Sequence, residues 1–349
     1  MRIDDLLKHT SEWLKGTGPN SNIVISSRIR LARNLSGLPF SHWAGKKQKE
    51  ESLETIKGAL QTSQFLKKAT SIDISSLSSI DKQFLVERHL MSREHAANPE
   101  LSALLFDDKE IVSIMINEED HIRMQVMQSG FNLTESWRIT NEIDTELGAR
   151  LNYAFSSKLG YLTACPTNVG TGIRASVMLH LPALVLTNQA NRVLQTITKL
   201  GLTIRGFYGE GTEVQGNFFQ ISNQVTLGRS EEEIIDGIER VINQIVSREE
   251  SARKTMFMRS KEKLIDRIWR SYGTLRSAHI ISSNETIELL SVIRLGVDMD
   301  IIKDITIPVI NELFILTQPA HLQKMEKKVL SPQERDLKRA EIIREKLGG

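Results

Sequence analysis

Hydrophobic and polar positions switch between two periods along the first 230 residues, and each switch marks an element. The segment up to about Gly16 reads as a short helix, and Gly16-Thr17-Gly18-Pro19-Asn20-Ser21 is a turn-forming run. Residues 23–30, Ile-Val-Ile-Ser-Ser-Arg-Ile-Arg, have the β-branched composition of a strand. Period two then sets Arg28 and Arg30 on one face. Residues 46–69 space their apolar positions at a near-helical interval among Lys and Glu. A second strand is predicted over residues 111–116, running into Asn117-Glu118-Glu119-Asp120-His121-Ile122-Arg123. If that extension continues, Glu119, His121 and Arg123 share one face, and Glu118, Asp120 and Ile122 share the other. Further strand patterns cover residues 202–204 and 217–221.

From Ser230 the period becomes helical. Ser230 and Glu233 form a capping box, and Ile234, Ile238, Val241 and Ile245 follow at helical spacing. Strand signals are few beyond this point, so a boundary is expected near residue 250, between a mixed domain (1–250) and a helical domain (251–349). Ser331-Pro332-Gln333-Glu334 supplies an N-cap, a proline at the first helical position and a reciprocal glutamate, predicting a last helix through Arg335, Asp336 and Arg339.

Composition narrows the function classes. Lys+Arg 45 against Asp+Glu 43 leaves +2, which argues against coating nucleic acid or a membrane through bulk charge. The 349 residues hold one cysteine, Cys165, which excludes an intrachain disulfide framework and multi-cysteine metal sites and fits a reducing, cytoplasmic setting. The longest apolar stretch, residues 176–187, is short and interrupted by His180 and Pro182, so no membrane span is expected. Walker, GxGxxG, HExxH, GxSxG and kinase HRD or DFG patterns are missing, which removes the P-loop, Rossmann and common hydrolase readings.

What remains is arginine and carboxylate at strand ends and glycine breaks. Arg28, Arg30, Arg123, Arg174 and Arg205 all fall there. A planar, permanently charged guanidinium suits polyphosphate, although any one of the five taken singly is more often a solvated surface residue. Glu119 and Glu210 sit at similar breaks, and Cys165 opens the small-residue loop Cys165-Pro166-Thr167-Asn168-Val169-Gly170-Thr171-Gly172.

Taken in order, Ser27-Arg28-Ile29-Arg30, the 117–123 segment, the Cys165 loop continuing into Ile173-Arg174-Ala175-Ser176, and Arg205-Gly206-Phe207-Tyr208-Gly209-Glu210-Gly211 resemble the guanidino (phosphagen) kinase family. The resemblance extends over essentially the whole chain and is nearest to the bacterial branch that phosphorylates arginine side chains of proteins. It implies an α+β fold, a curved and mainly antiparallel sheet flanked by helices, followed by a smaller helical domain. It also implies ATP with Mg²⁺, the phosphates held by the strand bearing Ser27, Arg28 and Arg30 and by Arg123, Arg174 and Arg205, with His89 near the nucleotide. By the same resemblance Glu119 and Glu210 grip the substrate guanidinium, with Glu119 as general base and Cys165 beside it, and no dedicated metal site is needed.

Arg335, Asp336 and Arg339 are similar to a phosphoarginine-sensing motif of that branch, where two cations one turn apart pair with a phosphoguanidino group. With the first motif at Ser27, no room is left for the helical domain that precedes it in the metabolic members and helps enclose a free substrate. The expected acceptors are therefore proteins with accessible arginines. Expected partners are a Clp-type unfoldase and protease, a heat-shock repressor that the enzyme inactivates, a zinc-binding activator and a second copy of the chain, with neither membrane nor nucleic acid. A kinase for free L-arginine or another small guanidine, and a catalytically silent adaptor, are the competing expectations.

Overall fold

The structure is a computed structural model that describes residues 3–206 and 215–349. Ten strands are present among these residues: β1 (Val24–Arg33), β2 (Thr70–Asp73), β3 (Ala103–Phe106), β4 (Val112–Ile116), β5 (Ile122–Ser129), β6 (Phe155–Ser156), β7 (Gly160–Tyr161), β8 (Ile173–His180), β9 (Leu202–Arg205) and β10 (Phe218–Asn223). The helices are α1 (Lys46–Gln61), α2 (Ser79–Glu87), α3 (Arg93–Ala97), α4 (Leu133–Gly148), α5 (Pro182–Leu186), α6 (Ala190–Lys199), α7 (Glu231–Ser277), α8 (Ser283–Asp298), α9 (Ile307–Leu316), α10 (Pro319–Glu326) and α11 (Pro332–Leu347).

Eight strands form one sheet in the order β2-β3-β4-β5-β1-β8-β10-β9, with every neighbouring pair antiparallel. The α+β class with a mainly antiparallel sheet and a helical C-terminal region is the architecture found. Among the described residues, no helix is long and apolar enough to cross a membrane.

Alternation divides the sheet into two unlike faces. Ile29 and Leu31 of β1, Met124 and Val126 of β5, Ile173, Ala175 and Val177 of β8 and Ile221 of β10 are buried on one side, beneath α4 and α7. The residues between them are polar. Positions 26, 28 and 30 of β1 are Ser, Arg and Arg, flanked by Gln125 on β5 and by Arg174 and Ser176 on β8. Toward β3 and β4 the polar face is closed by a second apolar cluster, in which Phe84 and Leu85 of α2 meet Leu104, Phe106, Met115 and Ala320. The same contact joins α2 to the start of α10. Glu87 accepts from Ala320 N at 2.8 Å and His321 N at 3.0 Å and pairs with His321 Nδ1 at 2.8 Å, seating a carboxylate on a helix N-terminus.

Several expectations are corrected. The charged segment after β4 is a hairpin turn rather than a continued strand. Asn117 turns left-handed at φ 57°, and its N–H donates to His121 O at 3.0 Å. Its side chain fixes that corner by accepting from Ser52 Oγ and donating to Lys49 O and Leu101 O. Asparagine tolerates this conformation better than most residues, so a turn wins over strand continuation. The helix expected over 46–69 ends at Gln61, and the opening segment consists of two 3-10 turns, Ile3–Lys8 and Glu12–Leu14. Apart from these corrections, helix α7 spans residue 250 and carries its non-helical residue at Ser260 (φ −146°, ψ 40°).

Candidate active site

Antiparallel register converts scattered arginines into a cluster. Arg30 lies opposite Arg174 on β8 and Gln125 on β5, Arg28 lies opposite Ser176 and Met127, and Arg205 lies opposite Gln220 on β10. Arg123 enters at the start of β5, opposite Ala32 and Met115. The cations sense one another. Burial, then Arg123, Arg174 and Arg205, pull the Arg28 guanidinium down to about 10, and burial with all four neighbours holds Arg30 well below its ordinary value. Arg28 is anchored by Gln220 Oε1 at 2.7 Å and Ser176 Oγ at 3.5 Å. Arg30 Nε and Nη2 are buried and have no hydrogen-bond partner. Buried charge lacking an acceptor costs several kcal/mol on the order of magnitude seen for broken ion pairs. A ligand with multiple anionic oxygens removes that cost, and a polyphosphate chain has that chemistry.

Arg123 is treated differently. Burial pulls it down, but the adjacent Glu118 carboxylate and its hydrogen bond, with Glu119 and Glu94, raise it above the ordinary value. Burial would push Glu118 up, yet Arg123, Ser92 Oγ and the Glu119 N–H together hold it down at about 2. Glu119 itself is exposed at the tip of the turn, with its N–H on Glu118 Oε2 at 2.9 Å. Glu119 and Arg123 are thus brought together by the turn, whereas the strand-face argument placed them together for the wrong reason.

Asp120 joins this turn to the cysteine loop. Its buried Oδ1 accepts from Asn34 Nδ2 and from Ala164 N, both at 2.7 Å, and burial raises its carboxyl above the usual range. Asn34 also donates to Leu162 O at 3.0 Å and accepts from His121 N at 2.9 Å. Cys165, half-buried, therefore stands one residue beyond a point fixed to the Glu119 turn, with Sγ 3.0 Å from Thr167 Oγ1. Glu210 lies outside the described residues; Arg205, which ends β9, leads into that segment.

His89 joins the polar face from the end of α2, at φ 60°. It meets Trp13 edge-on at 5.3 Å, and its carbonyl accepts from Gln125 Nε2 at 2.7 Å. Burial, then Arg28 and Arg93, lower its ring to about 3, so it is neutral at pH 7. Trp13, Arg28, His89, Met127, Ser176 and Gln220 line one pocket, with apolar walls and a cationic end.

Two assignments made from sequence do not join the cluster. Ser27 points to the opposite face, fully buried, where Oγ donates to Gly130 O at 2.9 Å and accepts from Asn132 N at 2.9 Å. Its side chain ties the β5–α4 corner. Arg335, Asp336 and Arg339 lie on α11, away from the sheet's polar face. Arg339 is buried and spends its donors on Thr317 O and Ile281 O, each at 2.9 Å, and on Asp336. Arg335 is half-buried, with Nη1 3.2 Å from Leu330 O, so it is the more accessible cation of the pair. Conversely, Glu118, Asp120, Trp13 and Gln220 were not assigned from sequence. Ser176 was legible in principle, two residues beyond Arg174 on the same strand face.

An arginine-lined sheet face with carboxylate and thiol at its rim defines a phosphotransferase, and the comparisons agree. The profile of the "ATP:guanido phosphotransferase, C-terminal catalytic domain" matches residues 51–252. The chain belongs to that family, and it is an enzyme that transfers phosphate to a guanidino group. Within the family it groups with the protein-arginine kinases. The profile of the "Protein-arginine kinase McsB C-terminal domain" matches residues 261–349. The protein-arginine kinase of Halothermothrix orenii is 49% identical over 348 residues, 99% of each chain. That of Desulforamulus reducens is 48% identical over 340 residues, 97% of this chain and 95% of the relative. Among solved structures, the duplicated taurocyamine kinase from Schistosoma mansoni with bound transition-state-analogue components superposes with a TM-score of 0.62 at 26% identity. The match covers 67% of this chain and 34% of that one.

Proposed function

We propose that the protein is an ATP-dependent protein-arginine kinase that transfers the γ-phosphate to arginine side chains of other proteins. The observation that carries this reading is the pairing of an arginine cluster, in which Arg30 Nε and Nη2 are buried without acceptors, with a carboxylate turn at Glu119. A guanidinium is a poor nucleophile, since its lone pairs are delocalised and its pKa is above about 12. A nitrogen attacks phosphorus only as a base withdraws its proton, and the exposed Glu119 carboxylate takes that role. Glu118 cannot, because it is already committed to Arg123.

Arg28, Arg30, Arg174 and Arg205 bind and orient the phosphate chain and spread the charge that accumulates on the transferring group. Mg²⁺ carried on the nucleotide's own oxygens supplies further charge neutralisation. Asp120 keeps Cys165 and the Glu119 turn at a fixed separation, so that the planar acceptor is held in line with the γ-phosphate.

The same reading extends to partners and setting. The phosphorylated proteins are marked for a Clp-type unfoldase and protease, a heat-shock repressor is among those inactivated, and a zinc-binding protein activates the kinase. The chain works in the cytoplasm, as a homodimer, with Arg335, Asp336 and Arg339 forming an allosteric phosphoarginine site in which Arg335 is the accessible cation. This part of the reading is carried over as an expectation from the protein-arginine kinases that the chain resembles over its whole length.

The experiment is incubation with Mg-ATP and casein, followed by mass spectrometry at near-neutral pH, with free L-arginine in parallel. Acid-labile phosphate on casein arginines is the expected product. Phosphate on free arginine alone would assign a small guanidine as substrate, and ATP binding with no product from either acceptor would assign an adaptor.

A further inference from the structure

The Glu119 turn is bonded to two surface loops, and each carries an aromatic ring into solvent. His121, two residues beyond Glu119, clamps the chain that leaves β1. Its Nδ1 accepts from Leu35 N at 3.0 Å, which puts the ring proton on Nε2, and Nε2 donates to Pro39 O at 2.9 Å. Phe40 follows at once. Its carbonyl accepts from Trp43 N at 2.8 Å and from Ala44 N at 3.0 Å, a turn that gathers three rings. His42 and Trp43 have centroids 4.7 Å apart, and Phe40 and Trp43 6.2 Å apart.

The second loop hangs from Asn34, the residue whose side chain bonds Asp120. Asn34 O accepts from Ala154 N at 2.7 Å, and Ser36 N donates to Asn152 O at 2.8 Å. Phe155 comes next and meets Tyr161 edge-on at 5.2 Å. Trp43 is 73% exposed and Phe155 60%, more than any other tryptophan or phenylalanine among the described residues. A single exposed apolar side chain is ordinary. Two of the largest, on separate loops pinned to one carboxylate turn, form a patch of the kind that marks a binding surface. Neither ring gains from burial in the fold, whereas an aromatic already held on an ordered turn loses little freedom when a partner covers it.

The reaction decides what that partner is. A guanidinium brought to the Glu119 turn hangs on a short side chain, so the backbone that carries it crosses the rim of the site. Each residue on either side then advances along the rim by about 3.3–3.6 Å, and three or four residues reach roughly 10–14 Å to each side. A free amino acid has nothing to lay on these rings. A polypeptide does.

We propose that Trp43 and Phe155 form the docking surface for the acceptor polypeptide and bind apolar side chains that flank the phosphorylated arginine. The inference deepens the protein-acceptor reading and rests on it. The test is steady-state phosphorylation by the full chain of two short peptides, each with one central arginine, flanked by leucine and valine in one and by serine and glycine in the other. Wild type is expected to show a KM about tenfold lower for the apolar peptide, the usual worth of an aromatic anchor. Trp43→Ala and Phe155→Ala should each shrink that preference, and together they should abolish it. The kcat, the KM for ATP and the melting temperature should stay at the wild-type values.

Equal KM values for the two peptides in wild type overturn the docking surface alone, as does a preference that survives both substitutions. Peptide kinetics left unchanged by variants that sediment as a smaller species would assign the rings to a second copy of the chain, and also overturn it. A wild-type chain that phosphorylates free L-arginine and neither peptide overturns the protein-acceptor reading together with this one.

Discussion

Arg30 and Arg294 are both buried, and the fold handles them in opposite ways. Arg294 of α8 is fully enclosed at the junction of the sheet and the C-terminal helices. It donates to Ser21 O at 2.8 Å, Asn22 O at 2.9 Å and Asn311 Oδ1 at 3.2 Å, contacts His180 Nδ1 at 3.1 Å and pairs with Asp298 at 3.3 Å. Burial lowers it to about 10, and Asp298 works against that shift. Arg30 is surrounded by further arginines and retains two nitrogens without acceptors. Desolvation is adverse at both places, so burial alone does not distinguish structure from function. The supply of acceptors does distinguish the two: at α8 the chain provides them all, and at Arg30 it leaves Nε and Nη2 without one.

The largest expected effect concerns the carboxylate at the rim of the second region. Glu119→Gln should lower kcat by about 10²–10⁴-fold, the usual worth of a positioned base, with ATP binding retained. Rapid-quench measurement of phosphate transfer checks this, and a loss confined to ATP affinity would return Glu119 to a purely electrostatic role. Arg294→Met should cost about 3–5 kcal/mol of stability, because Asp298 and several carbonyls lose their partner. Arg30→Met should leave the denaturation midpoint unchanged or raised, since repulsion from four neighbouring cations is relieved, while phosphotransfer collapses. Urea unfolding of the two variants side by side decides it. Equal destabilisation would erase the distinction drawn between the regions.

The smallest effect is a pH dependence at the α2–α10 contact. Burial pushes the Glu87 carboxyl from 4.5 up to about 7, against the pull of Ala320 N, His321 N and nearby arginines. The folded chain then holds this proton more tightly than the unfolded chain. Its contribution to stability is complete below about pH 4.5 and is lost as pH rises through about 7. A decline on the order of 1–3 kcal/mol is expected across that window. Glu87→Gln should flatten it, as followed by thermal melts at successive pH values.

Legibility from sequence tracked how local each determinant is. Period two at residues 26–30 placed Arg28 and Arg30 on one face, and the capping boxes at Ser230 and Ser331 marked the starts of α7 and α11, because each signal lies within a few residues. The turn at Asn117 was missed, since its asparagine is held by Lys49, Ser52 and Leu101 from elsewhere in the chain. Arg339 looked like a free cation for the same reason: the carbonyls that engage it belong to Ile281 and Thr317. Gln220 carried no signal, because its importance depends on β10 lying across β8 from Arg28. Ser27 shows the opposite error, a residue next to arginines in sequence that alternation sends to the other side of the sheet.

The bond from Asp120 also has a kinetic meaning. One carboxylate oxygen ties Asn34, 86 residues away, to Ala164, 44 residues away in the other direction. Closing such long loops carries an entropic cost that must be met before the contacts return anything, so pairings of this kind form late on the route to the native state. The Glu119 turn and the Cys165 loop are therefore tied together only after β1, the hairpin and the loop before β8 have all docked. A nascent or partly unfolded chain, though it already contains all of these side chains, has not yet assembled the site they form.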